Sequence, residues 1–202
     1  MTARCALMAL FAAGALGCTA GMPAVASPAS GSFVTHGDAG SELSSRGHGF
    51  VGTADLGFEA TGCCGGALYV SDTNYAGAEA KHKNAGDVLD GGLELSVVVP
   101  RIVNDRLRLR VRAGKSGTPP SKLTLGRSGY STSSVVLFRL TPPEAPALNA
   151  FSPSVDLFAG MATTWLDKER TTYGVDDSSG NLSRVMFLFG VRLGVGYGVD
   201  LR

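Results

Sequence analysis

The chain closes on VMFLFGVRLGVGYGVDLR. Apolar residues hold every odd position from Val185 to Leu201, while the even positions mix Met186 and Leu188 with Arg192, Asp200 and four glycines. A period of two sustained over that length marks a β-strand with two chemically different faces. The rhythm recurs upstream and predicts strands over 49–59, 66–71, 93–101, 106–113, 133–141 and 153–165. In the first of these, Phe50, Gly52, Ala54, Leu56 and Phe58 share one face, and Val51, Thr53, Asp55, Gly57 and Glu59 share the other. No amphipathic helical pattern of useful length appears after the N-terminal leader, so the expected class is all-β.

The connections between these strands alternate in length. Residues 60–65, 102–105 and 142–152 are short or moderate links, whereas 72–92, 114–132 and 166–183 are long and polar. In an up-and-down meander this order gathers the short turns at one end and the long loops at the other, the asymmetry of membrane barrels. A soluble sandwich has no physical reason to sort its loops in this way. The rhythm also requires one more strand before Gly49, and the available segment is 31–40, with 41–48 as its outer loop. The expectation is therefore an antiparallel up-and-down barrel of about eight strands, with short periplasmic turns and longer extracellular loops.

The strand over 106–113 places Leu107, Leu109, Val111 and Ala113 on one face and Arg106, Arg108, Arg110 and Arg112 on the other. An eight-stranded barrel has an interior that side chains can fill, and a buried charge without a partner is costly. Glu94 on the preceding strand, together with Asp55, Glu59 and Asp156, falls on faces that would point inward. The expectation is a lumenal ion-pair network of these eight residues. An anion-binding or conducting row, and a solvated face of a soluble sheet, are the competing readings of the same arginines.

Composition adds a compartment. The start, MTARCALMALFAAGALGCTAGMPAVASPASG, has one positive charge before an apolar run with the length of a signal h-region, then an Ala24-Val25-Ala26 site. Residues 1–26 are expected to be a signal peptide and 27–202 the barrel domain. A second route is lipidation at Cys18, since Ala15-Leu16-Gly17-Cys18 loosely resembles a lipobox. With Arg4 in the leader, 17 basic residues would face 17 acidic ones in the mature chain, a balance that argues against nucleic-acid binding. A Gram-negative source is the simplest.

On the leader, the alternation, the loop rhythm and LFGVRLGVGYGVDL, the chain resembles the small bacterial outer-membrane β-barrel proteins, the superfamily of eight-stranded surface barrels, over about residues 31–202. The resemblance implies a monomer in the outer membrane, with membrane lipid and the barrel-assembly machinery as partners. Such barrels usually end in an aromatic residue; this chain ends Leu201-Arg202.

Chemistry is sparse. His36, His48 and His82 have no catalytic serine at a recognisable spacing, and no G-x-S-x-G elbow is present. Glu79, His82 and Asp87 form only a weak metal set. No cofactor fingerprint is visible, so no cofactor or metal is expected. Cys63 and Cys64 are adjacent in TGCCGG. Such neighbours can form only a strained eight-membered disulfide ring, and the simpler expectation is a turn, with or without that bond. The leading functional expectation is a non-enzymatic outer-membrane barrel anchoring exposed loops, in a structural, adhesion or small-ligand role. The alternatives are a soluble periplasmic or surface β-sandwich and a lipid-modifying barrel enzyme.

Overall fold

The computed structural model describes residues 30–44, 47–60, 63–77, 86–100, 102, 104–120, 124–141, 148–168, 170–171, 174–175 and 180–200. Eight antiparallel strands close into a barrel: β1 (Ser30–Ser44), β2 (Gly47–Ala60), β3 (Cys64–Gly77), β4 (Asp87–Val98), β5 (Leu107–Gly117), β7 (Ser128–Arg139), β8 (Phe151–Leu166) and β11 (Leu182–Asp200). Three short strands, β6 (Thr124–Gly126), β9 (Arg170–Thr171) and β10 (Gly174–Val175), form a separate small sheet from two of the loops. No helix occurs among the described residues. The leader, Cys18, Glu79, His82, Leu201 and Arg202 lie outside them.

Closure comes from β1, which pairs with β2 on one side and with β11 on the other, from Ser30↔Asp200 to Leu43↔Phe187. Its alternation is weak in sequence because its outward positions are mostly small: Thr35, Gly37, Ala39 and Ser41 lie between Phe33 and Leu43. Its inward positions are polar and buried, among them Ser32, His36, Asp38 and Glu42.

Followed through β11, β8 and β7, the row containing Asp38 reaches Arg106 at the foot of β5; through β2, β3 and β4 it reaches Ser116. The register therefore slips by about ten residues over one circuit, the shear that closure demands. With eight strands about 4.8 Å apart and a rise of about 3.3 Å per residue, that shear tilts the strands by about 40°. The barrel radius is then about 8 Å, narrow enough for side chains to fill.

Every predicted strand is present, but the ends move. The segment over 66–71 grows to Cys64–Gly77 as alternation continues through Thr73 and Tyr75. The strand placed over 93–101 starts earlier and stops at Val98. The turn that follows reverses at Asn104 and Asp105, whose φ values of 55° and 60° are those these residue types tolerate best. The outer loop expected over 41–48 is corrected: β1 and β2 run on to Ser44 and Gly47, leaving only residues 45–46 between them. The other connections at that end, the loop end, cover 78–86, 118–127 and 167–181; at the terminal end, where β1 starts and β11 stops, they cover 61–63, 99–106 and 140–150, so loop length separates the two ends less sharply than the sequence rhythm predicts.

The odd face of β11 points outward. Val185, Phe187, Phe189, Val191, Leu193 and Val195 are 39–58% exposed, while Met186, Leu188 and Arg192 are buried in the lumen. The same sorting holds on the other strands, with Phe50, Leu56, Leu68, Leu93 and Met161 outside.

Candidate functional site

Among the described residues, charge is concentrated and enclosed in the lumen. Alternation on β5 sends Arg110 and Arg112 inward, and both are almost fully buried. Register brings Glu94 of β4 directly beside Arg112, and Arg112 Nε donates to Glu94 Oε2 at 2.7 Å. Partners for the rest lie across the lumen. Arg110 Nη1 donates to Asp38 Oδ2 of β1 at 2.6 Å, and Arg112 Nη2 stands 2.9 Å from the same oxygen. From β11, Arg192 Nη1 donates to Glu94 Oε1 at 2.8 Å, and its Nη2 lies 3.0 Å from Asp55 Oδ2. Three guanidinium groups thus meet three carboxylates from β1, β2 and β4, and the pairs bridge opposite walls of the barrel.

His36 is drawn into the same cluster. Its Nδ1 lies 2.8 Å from Asp55 Oδ1 and 2.6 Å from Arg192 Nη2, so the ring tautomer decides which of the two it bonds. A Cβ at Gly194, the cross-strand neighbour of His36, would run into the imidazole. At Gly190 a Cβ would lie 2.7 Å from the Phe158 ring. These inward glycines of β11 make room for a histidine and a phenylalanine.

Two further pairs sit nearer the terminal end and reach water. Arg108 Nη1 donates to Glu59 Oε2 at 2.6 Å, and Arg139 Nε donates to Asp156 Oδ1 at 2.9 Å. The expected network is corrected at one member. Arg106 precedes β5, and its Nη1 reaches the Leu140 carbonyl at 3.5 Å at the barrel rim. The alternation places its side chain correctly only while the strand continues, and the strand begins at Leu107.

An apolar cluster packs beside the charged one. Val135, Leu137, Phe158, Ala162 and Leu188, mostly from β7, β8 and β11, pack with Val51 into one buried cluster. Aromatic rings meet the cations at the boundary: Arg110 lies over Phe158 at 5.2 Å and Arg112 over Tyr69 at 4.9 Å, contacts that favour a cation. Nearer the loop end Arg184 lies over Tyr75 at 4.1 Å. The cavity left between the charged and apolar clusters is about 40 Å³ and is lined by Asp38, Glu42, Asp90, Arg110, Ser131 and Phe158 among others. That is room for a water or a few, not for a solute stream. At the loop end, buried Arg127 ties two loops together, its Nη1 donating to the carbonyls of Asp167 at 3.1 Å and Gly180 at 2.8 Å.

Asp38, Arg192, His36 and Arg139 are members that the sequence reading did not assign to the network. Arg192 carried a usable signal, a charge among the glycines on the even face of the last strand. No group of three metal-ligating side chains occurs among the described residues. Asp87 accepts from Asn74 Nδ2 at 2.6 Å, and His48 faces outward. Cys63 and Cys64 are both thiols, their sulfurs 2.9 Å apart.

No family model, curated protein or solved structure matches the chain.

Proposed function

We propose that this chain is an outer-membrane barrel of the small surface-barrel kind, a monomeric and non-enzymatic anchor that holds its loop end at the cell surface. Outer-membrane lipid and the barrel-assembly machinery are its partners. The observation that carries the reading is the inverted sorting of residues on a closed sheet. The clustered charges are inside, exposed apolar side chains surround the outside, and the outward charges Asp72 and Lys115 lie toward the loop end.

The dimensions agree with that solvent. On β11 the exposed apolar positions run unbroken from Val185 to Val195. At a tilt of about 40° each residue climbs about 2.5 Å, so this band is about 25 Å tall, the height of the lipid-facing band of such barrels. Aromatic residues sit at its margins: Phe33, Phe58, Phe151 and Tyr197 toward the terminal end, Phe50, Tyr130 and Trp165 toward the loop end. Phe151 and Tyr197 touch, with ring centroids 5.1 Å apart, as do Phe33 and Phe58 at 5.6 Å. Amphipathic rings collect where hydrocarbon meets headgroups. A water-facing surface with this much contiguous apolar area would aggregate. The filled lumen argues for an anchor over a pore.

The test is fractionation of the protein expressed with its leader in a Gram-negative host. It should need detergent for release and should show heat-modifiable mobility on gels. Folded protein set free by osmotic shock, without detergent, would overturn the membrane reading. In planar bilayers the purified barrel should give no steady conductance; a sustained open channel would overturn the closed lumen while leaving the anchor in place.

A further inference from the structure

The lumen leaves one reactive feature of the chain unused, the Cys63–Cys64 pair at the terminal end. Both residues are partly exposed, and their sulfurs lie 2.9 Å apart on the same side of the chain. Adjacent residues within a strand point to opposite faces. Here Cys63 sits in the bend before β3 and Cys64 opens the strand, so the alternation is broken and the thiols meet.

The backbone resists joining them directly. The Cys63 carbonyl accepts from Val98 N–H at 2.7 Å, and Cys64 is in register with Val97. A disulfide between neighbours closes an eight-membered ring that contains their shared peptide, and it forces that peptide out of its relaxed geometry. One atom inserted between the sulfurs enlarges the ring and relieves that demand. The 2.9 Å spacing disfavours a linear two-coordinate ion, whose two bonds to sulfur of about 2.3 Å would hold the sulfurs about 4.6 Å apart, and is nearer the about 3.3 Å of two such bonds meeting at a right angle.

We propose that Cys63 and Cys64 form a bidentate site for soft, thiophilic trivalent metalloids, of which arsenic(III) is the type. With a monosubstituted arsenoxide, two S–H bonds break, two S–As bonds form, and the oxide oxygen leaves with both protons as water. Arsenic stays trivalent, and no oxidant or reductant is consumed.

The test uses the full chain carrying Cys5→Ser and Cys18→Ser, purified without reductant, and phenylarsine oxide as probe. The expected result is one arsenic per chain, with both thiols lost together to a thiol-specific dye. Ethane-1,2-dithiol should strip the adduct, whereas an equal thiol concentration of a monothiol should not. Adding Cys63→Ser or Cys64→Ser should weaken binding by about 10²-fold or more, the loss of the second attachment. Three results would overturn the site: only one thiol protected, equal release by mono- and dithiol, or no free thiol before the probe is added.

Discussion

The middle of the lumen and its terminal end use the same pairing of arginine with carboxylate, yet they are different physical systems. In the middle, the side chains of Arg110, Arg112 and Arg192 are 0–6% exposed, and each reaches more than one of Asp38, Asp55 and Glu94. At the terminal end, Arg108 and Arg139 are 14–15% exposed, Arg108 paired with Glu59 and Arg139 with Asp156. Water can take over from a lost partner at the end but not in the middle, so the same mutation should cost very different amounts. The difference teaches that inward direction alone does not define a network; distance from the barrel mouth does.

The largest effect should come from breaking the middle. Arg192 bridges Glu94 and Asp55 across the lumen, so Arg192→Ala leaves two buried carboxylates short of a partner. Removing one side of a buried pair costs about 3–5 kcal/mol, and the variant should unfold at correspondingly lower denaturant in micelles. Replacing Arg192 and Glu94 together by Met and Leu should recover much of that loss, because a packed apolar pair avoids the desolvation cost. A double variant no more stable than Arg192→Ala alone would mean that the cost lies in packing and not in stranded charge.

The outward face at the same height supplies the next test. Val191 lies on β11 between Ala39 and Leu157 of the adjacent strands, near the middle of the apolar band. Val191→Arg should destabilise the barrel in lipid vesicles by about 2–4 kcal/mol. At Val185, ten positions' worth of sequence from Val195 and near the loop-end margin, the same change should cost about 1 kcal/mol or less. Equal and negligible costs at both positions would mean that this face meets water.

Much of this contrast is legible in the chain and part of it is not. Alternation locates the strands because each face of a barrel wall meets a different environment, and it pairs Arg112 with Glu94 because they are register neighbours. It says nothing of partners across the lumen. Asp38 meets Arg110 from the opposite wall, 72 residues away, and no local pattern encodes that distance; it follows from strand number and shear. Strand β1 is readable only from the loop rhythm, which requires one more strand before Gly49, since its outward positions are mostly small. Strand ends are least legible where the alternation runs on past the apolar residues, as in the polar DTNY into which β3 extends, or where a strand stops inside an apolar run, as at Val98 of β4.

The smallest effect should be at the terminal end, and it sharpens the comparison most. Arg139 and Asp156 are cross-strand neighbours on β7 and β8, joined at 2.9 Å near the mouth. The partly exposed guanidinium can be replaced by water on Asp156, so Arg139→Ala should cost about 1 kcal/mol or less. That cost should shrink further between 0.05 and 0.5 M salt, since ions screen exposed pairs within roughly a Debye length. The loss from Arg192→Ala should hardly change over the same range, because the side chains of Arg192, Asp55 and Glu94 are only 0–4% exposed and buried pairs are screened little. Denaturant titrations of both variants at the two salt concentrations measure the difference. If both losses fell with salt alike, the middle of the lumen would be as wet as its mouth, and the proposal of a closed anchor would fail.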